Sequence, residues 1–550
     1  VVCQHSANPK VLLMSFVSHN WINPNTIEAR DYQENIVKTA LTGNTLCVLP
    51  TGLGKTSIAA LVAAERLSRA FEARKNKPEE QASTFISADK ISAVDDSKVL
   101  FLAPTRPLVE QHRKSFERVL RIGPDEIVSV MGTNKPIDRK RAYQHGDVII
   151  ATPQTVRNDI KNRILDLGQF NLLIVDEAHR SVGNYAYVFI AKHYMQSARD
   201  PLILALTASP GASRAKIEQI KHALTIKNIS IRSREDEDVK PYVQKVENKW
   251  IEVEMPESIM AVREYFDRIR QVNIQKLADL GLQLPPRLGK KYILYLQQSL
   301  AKQKHWKSFA AMSILAEILK LDHAALLLET QSIYSFEKYV ARLRDDDSKA
   351  TARLLVNPLF KQALDKIVEL SEKGIENPKL ERLTSIVATE LEKKHQIIVF
   401  TQYRDTVDKI LRTLRAVAGA QPAAFIGQAS RTSSKGTTRG MSQREQGEVI
   451  KDFKSGSYNI LVATSIGEEG LDISETDAVI FYEPIPSEIR SIQRSGRTAR
   501  TRPGKVIILI AKNTRDQAFY WSAHHKQKKM ASMLYDMQSK NPDLKDFVKQ

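Results

Sequence analysis

Two hydrophobic periods alternate along the chain. Short uninterrupted apolar runs recur at residues 46–49, 99–103, 148–151, 172–175 and 202–206, each closed by small or polar residues. They read as strands buried on both faces, as in a parallel sheet. Stretches of helical period separate them, so residues 26–255 are predicted to form a doubly wound α/β domain. From 256 to 391 the strand-like runs stop and Leu296, Leu300, Ala311, Ile314, Leu315, Ile318 and Leu319 follow a helical spacing, which predicts an all-helical insert domain. Apolar runs resume at 397–400, 423–426, 460–463, 478–482 and 506–510, giving a second α/β domain over 392–525 and a helical tail over 526–550. Residues 1–25 carry no clear pattern and are an extension in which Phe16 and Trp21 are packing residues. The stretch 67–98, rich in Lys, Glu, Ser and Asp, is too long for a usual connection and reads as an insertion.

The turn after the first run is Pro50-Thr51-Gly52-Leu53-Gly54-Lys55-Thr56, between a strand and an alanine-rich helix. Gly52 and Gly54 let backbone N–H groups close on phosphate oxygens at a helix N-terminus, with Lys55 reaching the β/γ-phosphates and the Thr56 hydroxyl binding Mg²⁺. The strict pattern has Gly six residues before the Lys, where this chain has Leu49. Gln33, 22 residues before Lys55, carries a carboxamide that can pair with both donor and acceptor of an adenine edge, which favours ATP.

Two acids, Asp176 and Glu177, follow the run 172–175 in Asp-Glu-Ala-His. Asp176 suits Mg²⁺ held mostly through water, and Glu177 suits orienting and deprotonating the attacking water. His179, about one turn on, is placed to couple that site to Thr207-Ala208-Ser209. In the second α/β domain a polar strand end runs from Thr464 to Asp472, and Asp472 is a candidate nucleotide contact. Then Gln493-Arg494-Ser495-Gly496-Arg497-Thr498-Ala499-Arg500 sets cations at one-turn spacing. Gln493, Arg497 and Arg500 are the catalytic candidates of this cluster, the arginines meeting the γ-phosphate as arginine fingers.

Lys and Arg outnumber Asp and Glu by 82 to 63, a net charge of +19, which points to a polyanionic partner without separating DNA from RNA. In the insert, Arg287, Lys290, Lys291, Lys302, Lys304 and Lys307 surround Tyr292 and Trp306. This is either a grip for nucleic acid, with cations on phosphates and a ring on a base or sugar, or a solvated helix face with Trp306 in the core. Two cysteines exclude a disulfide framework and fit a reducing interior. No apolar run reaches spanning length and no charged-then-apolar leader is found, so neither membrane insertion nor secretion is expected.

In order and spacing, Gln33, Gly54-Lys55-Thr56, Asp176 to His179, Thr207 to Ser209 and Gln493 to Arg500 resemble superfamily 2 helicases with two RecA-like domains. Ala178-His179-Arg180 with Gly183-Asn184-Tyr185-Ala186-Tyr187, Thr207 to Gly211, and Met441 to Gln446 look like the Hef family, archaeal helicases for fork-structured DNA and kin to the Fanconi-anaemia M translocase. The resemblance implies ATP with Mg²⁺, bound with Lys55, Thr56, Asp176 and Glu177 on one wall and Arg497 and Arg500 on the other. It implies that Thr105, Arg106, Thr152, Gln402, Arg404 and Thr464 hold the nucleic-acid backbone and that the insert recognises branched DNA. The expected partners are forked, branched or single-stranded DNA, with a sliding clamp or a nuclease in trans as further candidates. The expected setting is the cytoplasm of an archaeal cell, on DNA, or a nucleus in a eukaryote. The family's nuclease signature is not found here, so no strand cleavage is expected. Duplex RNA is the alternative substrate, since RIG-I-like receptors and Dicer share the layout. A non-enzymatic ATP-binding scaffold is a weaker one, because Glu177, Arg497 and Arg500 are all present.

Overall fold

The computed structural model describes residues 15–75, 97–211, 213–244, 246–303, 305–428, 431–433, 436–438, 440–464, 476–485 and 504–539. The chain divides into two compact units, one built from residues up to Val243 and from Lys526 onward, the other from Gln244 to His525 apart from a few residues near 470.

The first unit holds a seven-stranded parallel sheet. Its strands are β1 (Thr45–Val48), β2 (Lys98–Leu102), β3 (Ile127–Val130), β4 (Val148–Ala151), β5 (Phe170–Val175), β6 (Ile203–Thr207) and β7 (Asn228–Ile231), in the order β3-β4-β2-β5-β6-β1-β7. The central strands are buried along their whole length, which is why their sequences are continuous apolar runs. The strands not anticipated, β3 (Ile-Val-Ser-Val) and β7 (Asn-Ile-Ser-Ile), are the two edges, where polar residues interrupt the run. The helix after the glycine-rich turn runs from Lys55 to Lys75, so the first part of the expected insertion is helical. The rest of that insertion lies outside the described residues. Near the chain start, Ile22 is buried in the core of this unit and bridges to Leu120, and Trp21 packs edge-on against Phe71.

The second unit carries β8 (Val246–Val253), β9 (Ile397–Phe400), β10 (Pro422–Phe425), a hairpin of β11 (Arg431–Ser433) and β12 (Gly436–Thr438), β13 (Ile460–Ala463), β14 (Ala478–Phe481) and β15 (Gly504–Ala511). Six of them form a parallel sheet in the order β10-β13-β9-β14-β15-β8. Here the expected boundaries move. Strand β8 precedes the insert in sequence yet pairs with β15 over its full length, so residues 246–253 belong to the second sheet and not to the first domain. Its sequence, Val-Glu-Asn-Lys-Trp-Ile-Glu-Val, is mostly exposed, as an edge strand can be. At the other end of the insert, the helix Lys379–Glu392 buries Leu380, Leu383, Ile386 and Val387 against β9 and β14, so it too belongs to the second sheet.

The remaining helices, Glu257–Asp279, Lys290–Leu300, Trp306–Thr330, Ile333–Arg344, Lys349–Val356 and Pro358–Glu372, form the all-helical insert. It has two cores, one around Phe266, Phe336 and Phe360, the other around Leu277, Ile293, Leu315 and Ile318. A buried polar seam joins the insert to the second sheet. Thr406 Oγ1 donates to Gln331 Oε1 at 2.8 Å, Tyr482 donates its hydroxyl to the Gln331 carbonyl at 2.8 Å, and Ser335 and Thr406 share a bond at 3.1 Å. Beside it Lys379 and Asp516, both fully buried, pair at 2.8 Å, with the ammonium 4.8 Å from the centre of the Tyr482 ring.

His323, on the insert helix Trp306–Thr330, is enclosed by the rings of Tyr339 at 4.7 Å and Tyr403 at 5.7 Å. Burial first, then the positive charges of Lys290, Arg342 and Arg515, offset weakly by Asp405, push its pKa down to about 4. A histidine kept neutral in the fold takes up its proton only on unfolding, so stability present above pH 6.5 is lost as pH falls toward 4. Between pH 7 and pH 5 the loss is expected to be about 2 kcal/mol. Urea unfolding across that range should show a shallower pH slope for His323→Phe than for the wild type; equal slopes would refute the assignment.

Candidate nucleotide and nucleic-acid site

In a parallel sheet each strand delivers its last residues to the same edge, and that edge is where ligands bind in open α/β sheets. On the first sheet the strand order therefore sets the site. Crossing it from β4 to β1 one meets Thr152, then Thr105 and Arg106 after β2, Asp176 and Glu177 after β5, Thr207 to Ser209 at the end of β6, and the glycine-rich turn after β1. The nucleic-acid candidates occupy one half of the edge, after β4 and β2, and the nucleotide candidates the other, after β5 and β1, with Thr207 at the end of β6 inside the nucleotide half.

The turn is built as its glycines require. Gly52 and Gly54 sit at φ 87° and 81°, in the left-handed region, and the helix starts at Lys55. A Cβ on Gly54 would lie 2.3 Å from Gln33 Nε2, so a side chain there is excluded by contact as well as by backbone. Lys55 Nζ donates to the Leu49 carbonyl at 2.9 Å, six residues back, at the position where the common pattern has glycine. Gln33 is buried, and its Nε2 donates to the Leu53 carbonyl at 3.2 Å, as does the Tyr32 hydroxyl at 2.9 Å. Gln33 thus braces the turn itself.

Asp176 is buried at the end of β5 and bonded to His112 Nε2 at 3.1 Å. Burial alone would raise its pKa; the His112 hydrogen bond and charge, with Lys55 nearby, outweigh it and hold the carboxyl below its ordinary range. The group is therefore an anion at neutral pH. The Tyr187 hydroxyl donates to the Asp176 carbonyl at 2.7 Å and fixes the strand end. Glu177 adopts a left-handed φ of 49°, which turns the chain directly after β5.

His179 Nδ1 lies 3.3 Å from Thr207 Oγ1 and 3.2 Å from Glu177 Oε2. Thr207 spends its own hydroxyl proton on the Ser209 carbonyl at 3.0 Å and accepts from the Ser209 N–H at 3.2 Å. Nδ1 of His179 must then be the donor, and it faces the Glu177 carboxylate and the Thr207 hydroxyl together. The three coupling candidates, His179, Thr207 and Ser209, are thus in contact one with the next.

Thr105 Oγ1 is buried without a hydrogen-bond partner, Arg106 is exposed as the first residue of the helix Arg106–Val119, and Thr152 shares a bond with Thr155 at 2.8 Å. On the second sheet Gln402 and Arg404 follow β9 and Thr464 follows its neighbour β13; Arg404 donates to the Gly427 carbonyl at 2.8 Å. Asp472, Gln493, Arg497 and Arg500 lie outside the described residues. In the insert, Trp306 is 65% exposed, which removes the core reading of that ring.

Several functional residues were not legible. His112 sits inside a helix with no motif around it. The tail was expected only to be helical, yet part of the helix Arg515–Ser539 packs on the first unit beside the site. Ser209 donates to Met530 Sδ at 2.9 Å, the Ile231 N–H to Gln538 Oε1 at 2.9 Å, and the Tyr535 hydroxyl to Asp236 at 2.8 Å. The loop after β7 also touches the turn, Arg234 donating to the Thr51 carbonyl at 3.4 Å.

Comparison with known proteins gives three family matches: DEAD/DEAH box helicase over 30–217, the helical bundle of an ATP-dependent RNA helicase family over 259–374, and helicase conserved C-terminal domain over 378–502. The crystal structure of the Pyrococcus furiosus Hef helicase domain is similar at a TM-score of 0.65 and 40% identity, covering 90% of this chain and 98% of that one. A Methanocaldococcus jannaschii protein named as an ATP-dependent RNA helicase is 38% identical over 95% of this chain and 63% of its own length. The ATP-dependent DNA helicase fml1 of Schizosaccharomyces pombe is 33% identical over 90% of this chain and 58% of its own. The chain thus spans about 60% of the length of these two curated relatives. Among the described residues no helix is long and apolar enough to cross a membrane.

The tail contacts generate a prediction about turnover. Tyr535→Phe, which removes the hydroxyl bonded to Asp236, and Met530→Leu, which keeps volume but not the acceptor sulfur, are each expected to lower maximal ATP turnover by about 2- to 30-fold. KM for ATP should stay within twofold. Unchanged turnover in both variants would reduce the tail to a structural cover.

Proposed function

Because the chain belongs to the Hef family of DEAD/DEAH-box helicases, kin to the Fanconi-anaemia M translocases, we propose that it is an ATP-driven DNA translocase acting on forked or branched DNA. The observation that carries the reading is His179, in contact with both Glu177 and Thr207 on the nucleotide half of the edge, next to the strand end that carries Thr105 and Arg106. A chain that only bound ATP would have no need of a polar relay there.

Each residue then has one task. The N–H groups of the turn and Lys55 hold the phosphates, the lysine leaving the Leu49 carbonyl for them. Glu177 orients the attacking water and takes its proton, and Arg497 and Arg500 meet the charge developing on the γ-phosphate. An ionised carboxylate at Asp176 and a hydroxyl at the helix start, Thr56, fit Mg²⁺, which binds few protein ligands and keeps several waters. That ion would neutralise charge on the β- and γ-oxygens. Thr105, Arg106, Thr152, Gln402, Arg404 and Thr464 contact the backbone, so binding follows DNA shape and salt and carries no sequence preference. The insert supplies recognition of the branch.

DNA is favoured over duplex RNA because fml1 is named a DNA helicase and the matched crystal structure is that of Hef. The name of the Methanocaldococcus relative keeps the RNA reading alive. Steady-state ATP hydrolysis with no nucleic acid, single-stranded DNA, duplex DNA, forked DNA and duplex RNA, at two salt concentrations, separates them. Forked DNA should stimulate most, and stimulation by duplex RNA alone would overturn the DNA assignment. Lys55→Ala should abolish hydrolysis with DNA binding retained. Arg497→Ala or Arg500→Ala should spare ATP binding and slow hydrolysis by about 10³-fold or more; full turnover in either would refute the finger role.

A further inference from the structure

Between Leu280 and Ala316 the chain has no acidic residue, while Arg287, Lys290, Lys291, Lys302, Lys304 and Lys307 fall within it. This segment holds the helix Lys290–Leu300 and the start of Trp306–Thr330, and it also displays large rings to solvent: Tyr295 is 62% exposed, Trp306 65% and Phe309 58%. The helices that carry them are fixed from beneath, because Ile293, Leu315 and Ile318 are buried in the second core of the insert. A groove of about 710 Å³ opens here, with Lys291, Tyr295, Gln297, Gln298 and Met312 in its wall. Lys307 Nζ stands 5.8 Å from the centre of the Trp306 ring.

These features select a ligand class. Lysines without a compensating acid disfavour a basic partner and favour a polyanion. Phosphates alone need only the cations; exposed rings and two carboxamides beside them need flat apolar faces with polar edges. Nucleobases offer both, but in a duplex their faces are stacked on one another and closed off. Only unpaired nucleotides present a free face to an aromatic side chain. We propose that this groove of the insert and the exposed ring of Trp306 on the same acid-free segment seat unpaired bases exposed at a DNA branch, with Tyr295 in the groove wall and Trp306 outside it as stacking platforms, Gln297 and Gln298 on base edges, and Lys291 and Lys307 on the flanking phosphates. The proposal rests on the reading of the chain as a branched-DNA translocase and adds that the insert reads the branch by its unpaired bases as well as by its shape.

The test uses the full chain without ATP, so that it does not depend on hydrolysis. Fluorescence anisotropy compares a fork with several unpaired nucleotides at the junction, a fully paired four-way junction and a blunt duplex, with 2-aminopurine as a second probe at an unpaired position. Tyr295→Ala and Trp306→Ala should each weaken binding to the gapped fork by about 5- to 100-fold, leave duplex binding within twofold and abolish the 2-aminopurine change. Tyr295→Phe, which keeps the ring, should bind as the wild type. Both rings are exposed, and an unchanged unfolding midpoint checks that truncation has not disturbed the fold. Equal loss on gapped fork and duplex would overturn the proposal in favour of a backbone patch. Unaltered DNA binding in both alanine variants would overturn it outright, and sedimentation then asks whether the rings join two copies of the chain. Failure of DNA to stimulate ATP hydrolysis in the wild type would sink the translocase reading instead, and the two failures are read separately.

Discussion

Parallel pairing is the constraint on which the site depends. A strand that must run beside its neighbour in the same direction has to return through a crossover, so every strand ends on one edge of the sheet. Sequence-distant segments at Thr51, Thr105, Thr152, Asp176 and Thr207 become neighbours for that reason alone. The backbone hydrogen bonds of the central strands hold the edge in register, and the apolar runs bury both faces so that those bonds stay out of water. What varies along the edge is only which polar residue closes each strand.

That arrangement explains why the polar contacts at the edge are short-range and dense. Asp176 is separated from the phosphate turn by the single strand β6, and β6 ends in the threonine that His179 reaches. A change at Glu177 is therefore three contacts from Ser209, through His179 and Thr207, and Ser209 in turn touches Met530 of the last helix. The chain spends an unfavourable left-handed backbone at Glu177 on that geometry, a strain of order 1–3 kcal/mol that the packed strands on either side maintain.

The central strands and the residues that close them were legible because burial on both faces forces an apolar run and the ligand edge forces small or polar residues after it. The three strands that escaped notice in the two large sheets, β3, β7 and β8, are edge strands, paired on one side only, whose Ser, Asn, Glu and Lys break the apolar run. Missing β8 also assigned residues 246–253 to the first domain, since an eight-residue exposed strand gives no hint that its partner lies 258 residues later, Val246 pairing with Gly504. At the site, Lys55, Asp176, Glu177 and His179 were readable from spacing. His112 and Tyr535 were not, because they act through a third dimension of packing that leaves no local pattern.

The insert is an outgrowth of the second sheet. Its helix Trp306–Thr330 enters the seam at Gln331, whose side chain and carbonyl are both held by residues of that sheet, and Glu329 accepts the Arg515 N–H at 3.1 Å. Removing one member of such a seam leaves buried polar groups unpaired, at a cost of several kcal/mol, so hinge motion there is disfavoured. Thr406 lies two residues after Arg404 and four after Gln402, and the ring of Tyr403 packs on the core of the insert and on His323. Force applied to the insert is then delivered to the strand end that carries Gln402 and Arg404. Under the proposed function, a branch bound by the insert and a backbone bound at that strand end are held by one mechanical body.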